Sequence, residues 1–313
     1  MATLFVYIGL PGSGKSPHAK QVASFTECHC VVVSSDGIRA ELWGNEEDQR
    51  NPAKVFELMF KRTVDLLKED IDVIYDATNL VAKRRKALIN QVSKAVPDTE
   101  FIAAFFACTI EECKARQSQR ARKVPDEVID RMARQFEAPW YNEGWDKIYV
   151  ISSGPLYNIR QEWLDLKNVP HDNPHHEYTI GNHSYCAYAL LLEELADKEE
   201  QFSDDEIALT ATLFHDIGKS RTKSFRDSKG NPSEVAHYYN HNNVGAYMWL
   251  SGNSRLNLDW ENEFLMIGVL IQWHMQPYFL KNQTLEEWCE KKGFDEMIAY
   301  WLGLIHKADQ SAH

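Results

Sequence analysis

Short apolar runs bounded by polar or turn residues recur through the first half of the chain, at positions 4–9, 30–34, 71–76, 100–107 and 148–152. Each has strand length, and the stretches 52–68 and 83–95 between them carry apolar residues at helical spacing. Strands alternating with helices predict βαβ units and a parallel sheet covered by helices on both faces. The pattern stops after position 152. Ser153-Gly154-Pro155 opens a linker, and positions 170–177 (PHDNPHHE) are polar and contain proline. The expected organisation is therefore an α/β domain over 1–152, a linker over 153–172 and a second domain over 173–313. Beyond the linker the periods are helical and no convincing strand is found, so the second domain reads as all-α.

A chain of 313 residues has room for two ordinary domains. No apolar run reaches the roughly 18 residues of a membrane span, and the apolar start lacks the basic region and cleavage site of a signal peptide. The six cysteines (Cys28, Cys30, Cys108, Cys113, Cys186, Cys289) form no CxxC pair. They read as reduced thiols, which points to a cytoplasmic protein. A formal charge of −12 argues against a protein that coats nucleic acid electrostatically. The charge is uneven, with basic residues crowding 83–86 and 114–123 and acidic ones 193–206.

Positions 5–16 read FVYIGLPGSGKS, a strand followed at once by GxxxxGKS. Gly9, Gly12 and Gly14 let backbone N–H groups, that of Ser13 among them, turn towards phosphate oxygens. Lys15 is placed to reach the outer phosphates of an NTP, and the Ser16 hydroxyl to ligate Mg²⁺. The following helix aims its positive end at the same anion, and Pro17 is tolerated in its first turn. The second strand ends at Ser34-Ser35-Asp36-Gly37-Ile38-Arg39, which puts Asp36 where it can take a proton from an acceptor hydroxyl or simply cap a helix. Arg39, one turn further on, would face a phosphate of the acceptor. Asp76, ending the third strand, suits a Mg²⁺-binding carboxylate or an organiser of Asp36. In 114–125 (KARQSQRARKVP), Arg116 and Arg120 at helical spacing would share one face, as a phosphate lid or as a solvated basic helix. Lys83-Arg84-Arg85-Lys86 reads as a solvated helix face or as a contact to a polynucleotide backbone.

The second domain holds His183, His215-Asp216, His241, His274 and Asp309. His215 and Asp216 sit in ATLFHDIGK, which reads as an apolar helix, and burying them unpartnered would be costly. Phe264, Ile267, Ile271 and His274 share one helix face, and so do Ile298, Leu302, Ile305 and Asp309. His and Asp side chains on the inward faces of several helices suit one or two ions of Mn²⁺, Fe²⁺, Co²⁺, Ni²⁺ or Zn²⁺. Lys219, one turn after Asp216, would neutralise a phosphate or stay solvated. His237 reads as a structural or loop residue, His306 lies off the buried face, and His171, His175 and His176 read as linker residues.

The set GLPGSGKS, SSDGIR, YDATNL and RQSQRARKVPDEVIDRM resembles the kinase module of bacteriophage-type 5′-hydroxyl polynucleotide kinases over most of residues 1–140. That resemblance implies Asp36 as general base for a 5′-OH, Arg39 on the acceptor's phosphate and Arg120 on the NTP phosphates. The arrangement H…HD…H…H…D over 175–313 resembles the HD phosphohydrolase superfamily. It implies one ion on His183, His215, Asp216 and Asp309, and a second on His241 and His274 with Asp216 bridging. Together the modules resemble bifunctional RNA end-healing enzymes, in which the HD module removes a 2′,3′-cyclic or terminal phosphate. The implied ligands are ATP or another NTP with Mg²⁺ and RNA or DNA ends, with a ligase acting downstream, no membrane association and room for self-association. Two other readings stay open at this point: a small-metabolite or nucleoside kinase joined to an HD nucleotidase, and a nucleotide-gated regulatory module with a sensor HD site.

Overall fold

Strand β1 (Thr3–Ile8) runs through the middle of a five-stranded parallel sheet whose order is β2 (Cys30–Ser34), β3 (Asp72–Asp76), β1, β4 (Glu100–Ala107), β5 (Lys147–Ser152). The computed structural model describes residues 1–25, 29–120, 123–154, 158–174, 177–196, 205–252 and 261–312; His175 and His176 lie outside them. Strand β4 is buried from Phe101 to Ala107, on both faces. This is what a near-continuous apolar run requires in a parallel sheet. In register, Tyr7 and Ser34 both lie opposite Asp76. The carboxyl ends of β1, β2 and β3 are therefore level, and the loops that leave them open at one edge, where open α/β sheets take their ligands.

Helices α1 (Lys15–Ala23), α2 (Ser35–Trp43), α3 (Pro52–Lys68), α4 (Ala82–Ala95), α5 (Ile110–Ser118) and α6 (Asp126–Ala133) accompany these strands. Helix α3 has the predicted bounds: Asn51 Oδ1 accepts from Lys54 N (3.1 Å) and Pro52 occupies the first turn. One compact unit consists of Met1–Ile129 and Pro139–Pro155, the other of Asp130–Ala138 and Leu156–His313. The segment Asp130–Ala138 falls inside the stretch that the pattern assigned to the first domain. Its place in the second unit is secured by backbone groups: Ala138 N donates to Gln272 Oε1 (2.6 Å), and Arg134 O accepts from Asn243 Nδ2 (2.9 Å).

The second unit is helical, with α7 (Ile159–Leu166), α8 (Ile180–Ala196), α9 (Asp205–Phe214), α10 (Lys219–Thr222), α11 (His241–Gly252), α12 (Glu261–Trp273), α13 (Leu285–Lys292) and α14 (Glu296–Ser311). Ile298, Leu302, Ile305 and Asp309 are all buried along α14, as their spacing predicts. The structure corrects the all-α expectation, because an antiparallel hairpin of β6 (Ser224–Arg226) and β7 (Pro232–His237) interrupts the helices. These strands are short and largely polar, so periodicity does not show them. Their turn is closed by Asp227, whose Oδ1 accepts from Lys229 N and Asn231 N, with Gly230 at φ 86°.

Candidate functional site

The loop after β1 is shaped by glycines that no other residue could replace cheaply. Gly12 has φ 89°, and a Cβ there would lie 2.5 Å from Cys113 O. Gly14, at φ 95°, is the N-cap of α1, and Pro17 sits in the first turn, where no N–H has an intrahelical partner. Lys15 is buried, its Nζ donating to Gly9 O and Leu10 O (both 2.8 Å) and to Ser13 Oγ (3.2 Å). Burial pulls its pKa down to about 8. Burial raises the Asp76 pKa, opposed by a hydrogen bond from Ser16 and the charge of Lys15. The structure thus brings Lys15, Ser16 and Asp76 together.

Ser34, not Asp36, caps α2, with its Oγ accepting from Gly37 N (3.0 Å). The capping alternative for Asp36 therefore falls away. Its side chain is 50% exposed and pairs with Arg39 Nη1 (2.9 Å), while the Arg39 side chain is only 9% exposed. Arg116 is tied to the phosphate loop: it donates to Glu112 Oε1 (2.7 Å), Gly12 O (3.4 Å) and Ser153 O. Arg120 does not share its helix face, because α5 ends at Ser118 and Arg120 lies exposed in the turn beyond. Gln117, buried at the helix end, accepts from Val124 N (3.4 Å) and draws the chain away from the helical path. Arg85 corrects the reading of 83–86 as a wholly exposed face. It is buried and forms a two-bond ion pair with Glu143 (2.7 and 2.6 Å).

The histidine and aspartate side chains converge from five places. His183 comes from α8, His241 opens α11, His274 follows α12 and Asp309 lies on α14. His215 and Asp216 are not helical as expected, since α9 ends at Phe214 and they form the turn before α10. Gly218 makes that turn possible, because a Cβ there would lie 2.0 Å from His241 O. Each imidazole is held by Nδ1 on a carbonyl: His183 on Ala312 O (2.8 Å), His215 on Thr212 O (2.6 Å), His241 on Tyr238 O (2.9 Å) and His274 on Ile271 O (2.7 Å). A carbonyl only accepts, so Nδ1 carries a proton and each ring turns its Nε2 inward, the atom by which an imidazole can ligate a metal.

Those Nε2 atoms face other polar atoms. His241 Nε2 is 3.2 Å from His274 Nε2 and 3.3 Å from Asp216 Oδ1, and His183 Nε2 is 2.8 Å from Asp309 Oδ1. His215 Nε2 is buried with no hydrogen-bond partner of good geometry among the described residues, 3.3 Å from Asp309 Oδ1 and 3.4 Å from Asp216 Oδ2. One ligand atom each from His183, His215 and Asp216 lies within 4.8 Å of the others, and the same holds for Asp216, His241 and His274. Such a set fits two divalent cations that share Asp216. Burial opposes a charged His215, but Asp216 and Asp309 outweigh it and push its pKa up to about 10. Burial also opposes ionised Asp216, yet Lys219 and His215 hold its pKa well below the usual carboxylate range.

Lys219 is buried, with Nζ 2.6 Å from Asp216 Oδ2 and 3.3 Å from His171 Nε2. His171 is thus no linker residue: it is buried, bound through Nδ1 to Tyr178 O (2.8 Å), and its pKa is lowered to about 4 by burial and by Lys219. Tyr278 also belongs to the site, donating to Asp309 Oδ2 (2.8 Å). Neither residue stands out in the sequence, since His171 lies in an irregular polar stretch and Tyr278 in a short 3-10 turn. His237 pairs with Ser233 Oγ (3.0 Å), and the ring of His306 packs on Tyr278.

Residues 4–139 match the family model described as AAA domain, and residues 181–291 match that of the HD domain. The chain thus carries a P-loop kinase fold followed by a helical HD domain. Over 152 residues it is 25% identical to L-seryl-tRNA(Sec) kinase of Methanococcus maripaludis, which covers 46% of this chain and 56% of the relative. A chain of a Pnkp1/Rnl/Hen1 RNA repair complex is similar at 24% identity over 43% of each chain, with a TM-score of 0.37. A fungal RNA kinase is similar at 15% identity over 54% of this chain and 86% of that one, with a TM-score of 0.38. The chain therefore spans little more than half of the curated relative and less than half of the repair-complex chain.

Proposed function

We propose that the chain is a bifunctional end-healing enzyme of the cytoplasm, phosphorylating polynucleotide 5′-OH ends and removing 2′,3′-cyclic, 2′- or 3′-phosphate from the opposite ends. The observation that carries the reading is the presence in one chain of two sites: Asp36–Arg39 beside Lys15, Ser16 and Asp76, and four inward Nε2 atoms around Asp216. A binding module needs neither a base nor such a ligand set. The motifs around Asp36, Asp76 and Arg120 support a polynucleotide acceptor, and so does the relative's action on a tRNA. No helix among the described residues is long and apolar enough to cross a membrane.

In the kinase reaction, Asp36 takes the proton of the 5′-OH as its oxygen bonds to the γ-phosphorus and the bond to the β,γ-bridging oxygen breaks. Arg39, paired with Asp36 in the free site, turns to the acceptor's phosphate. Lys15 would exchange the carbonyls of Gly9 and Leu10 for NTP phosphates, Arg116 and Arg120 would neutralise their charge, and Ser16 and Asp76 would hold Mg²⁺. In the HD site, His183, His215, Asp216 and Asp309 would hold one ion, and His241, His274 and Asp216 the other. When bound, such ions supply Lewis acidity at a phosphoryl oxygen. Lys219 holds Asp216 in place and offers its charge to the substrate phosphate. The products are ends that a downstream ligase can join.

The test uses an oligonucleotide bearing a 5′-OH and a 2′,3′-cyclic phosphate, incubated with labelled ATP and chelator-stripped enzyme. Mg²⁺ alone should restore phosphorylation, whereas Mn²⁺, Co²⁺ or Ni²⁺ should be needed for phosphate removal, because Mg²⁺ disfavours imidazole ligands. Transfer to small metabolites in preference to oligonucleotides would overturn the acceptor assignment. Full phosphate removal with Mg²⁺ alone would overturn the metal assignment.

A further inference from the structure

Tyr278 occupies an unusual position. Its hydroxyl donates to Asp309 Oδ2 at 2.8 Å, inside the buried ligand cluster, yet the residue is 42% exposed. Its side chain thus reaches from the protein surface to the cluster. Its ring is fixed from a second side, packing edge-on against the His306 ring with centroids 4.4 Å apart. The turn that carries it, Gln276–Phe279, begins two residues after His274 and contains Pro277, which restricts the backbone. Phe279, next in the chain, is 65% exposed. A single exposed phenylalanine is ordinary. Here it follows in the chain a tyrosine bonded to Asp309.

We infer that Tyr278 and Phe279 form a nucleobase subsite at the mouth of the HD centre, an assignment that rests on the phosphoesterase reading above. The ring of Tyr278 stands one phenol length out from Asp309 Oδ2, between that carboxylate and solvent. Aromatic faces accept any base, because every base has a π-face. The subsite therefore selects for a terminal nucleotide over a base-free phosphoester without reading sequence. Tethering by Asp309 and His306 orders the Tyr278 ring before substrate arrives, so little freedom is lost on binding.

The experiment compares full-length wild type with F279A, Y278F and Y278A, each loaded with Mn²⁺. Substrates are a short oligonucleotide ending in a 2′,3′-cyclic phosphate and the same oligonucleotide with an abasic terminal ribose. In F279A the preference in KM for the base-bearing end should fall about ten-fold, the size of a lost stacking contact. Y278F keeps the ring but loses its tether, and should retain more of that preference than Y278A. A second readout, independent of turnover, is calorimetric binding of uridine 3′-monophosphate against ribose 3-phosphate. F279A should weaken the first and spare the second. Equal losses on base-bearing and abasic ligands would overturn the inference and leave Tyr278 only a support for Asp309. If wild type turns over no ribose phosphate, the phosphoesterase reading fails by itself, and the calorimetric comparison still decides the subsite.

Discussion

Replacing Glu143 with Gln isolates the contribution of one buried charge to the P-loop unit. Arg85 and Glu143 are each 1% exposed and joined by two hydrogen bonds of 2.7 and 2.6 Å. Arg85 Nη1 also donates to Asn79 O (2.9 Å), and Trp145 Nε1 to Glu143 Oε2 (3.2 Å). Asn79 holds φ 48° and donates to Tyr7 O (2.8 Å), while Thr78 O accepts from Gly9 N (3.1 Å). The pair therefore anchors the loop that follows Asp76 and, through Gly9, the phosphate loop. E143Q leaves a buried guanidinium without its counter-charge, a change that costs about 3–5 kcal/mol. A two-unit chain need not unfold in one step, so hydrogen exchange at the amides of β1 and β3 is the proper assay. Those amides should exchange about 10²–10⁴-fold faster in E143Q. The double variant R85M/E143L, with both charges gone, should recover most of the protection. The exposed pair Arg62–Glu41 provides the contrast, and E41Q should leave the same amides at their wild-type rates. Exchange in E143Q within ten-fold of wild type would refute the reasoning.

Two further substitutions separate the sites. D36A should lower kinase turnover by about 10²–10⁴ and leave phosphate removal within a few-fold, as single-turnover assays of each reaction would show. Near-normal phosphorylation would remove Asp36 as the base. G218A should push α11 and His241 out of place, since the new Cβ would meet His241 O at 2.0 Å and Gly245 N at 2.5 Å. Phosphate removal should fall about 10²-fold with bound Mn²⁺ reduced and phosphorylation kept, and a variant with full metal content and activity would refute that contact.

What the sequence determined by itself is whatever depends on neighbours along the chain. The five strands, helix α3 with its Asn51 cap, the glycine turn before Lys15 and the inward face of α14 all follow from spacing and local sterics. His274 and Asp309 are buried as their spacing predicts, since burial of an apolar face carries the polar residue on it inward. Tertiary structure alone decided which polar groups found partners. Arg85 reads as one more cation in a basic run until Glu143, 58 residues on, meets it in the core. His171 lies in an irregular polar stretch and becomes a site residue only because Lys219 and Tyr178 O bracket its ring. The sequence extends a helix through His215 and Asp216, but the close approach of Gly218 to α11 replaces it with a turn. Arg120 leaves the helix that its spacing suggests because Gln117 bonds the chain beyond it. In these last two cases a steric contact or a hydrogen bond outweighs a local preference worth only tenths of a kcal/mol per residue, about what helix propensities differ by.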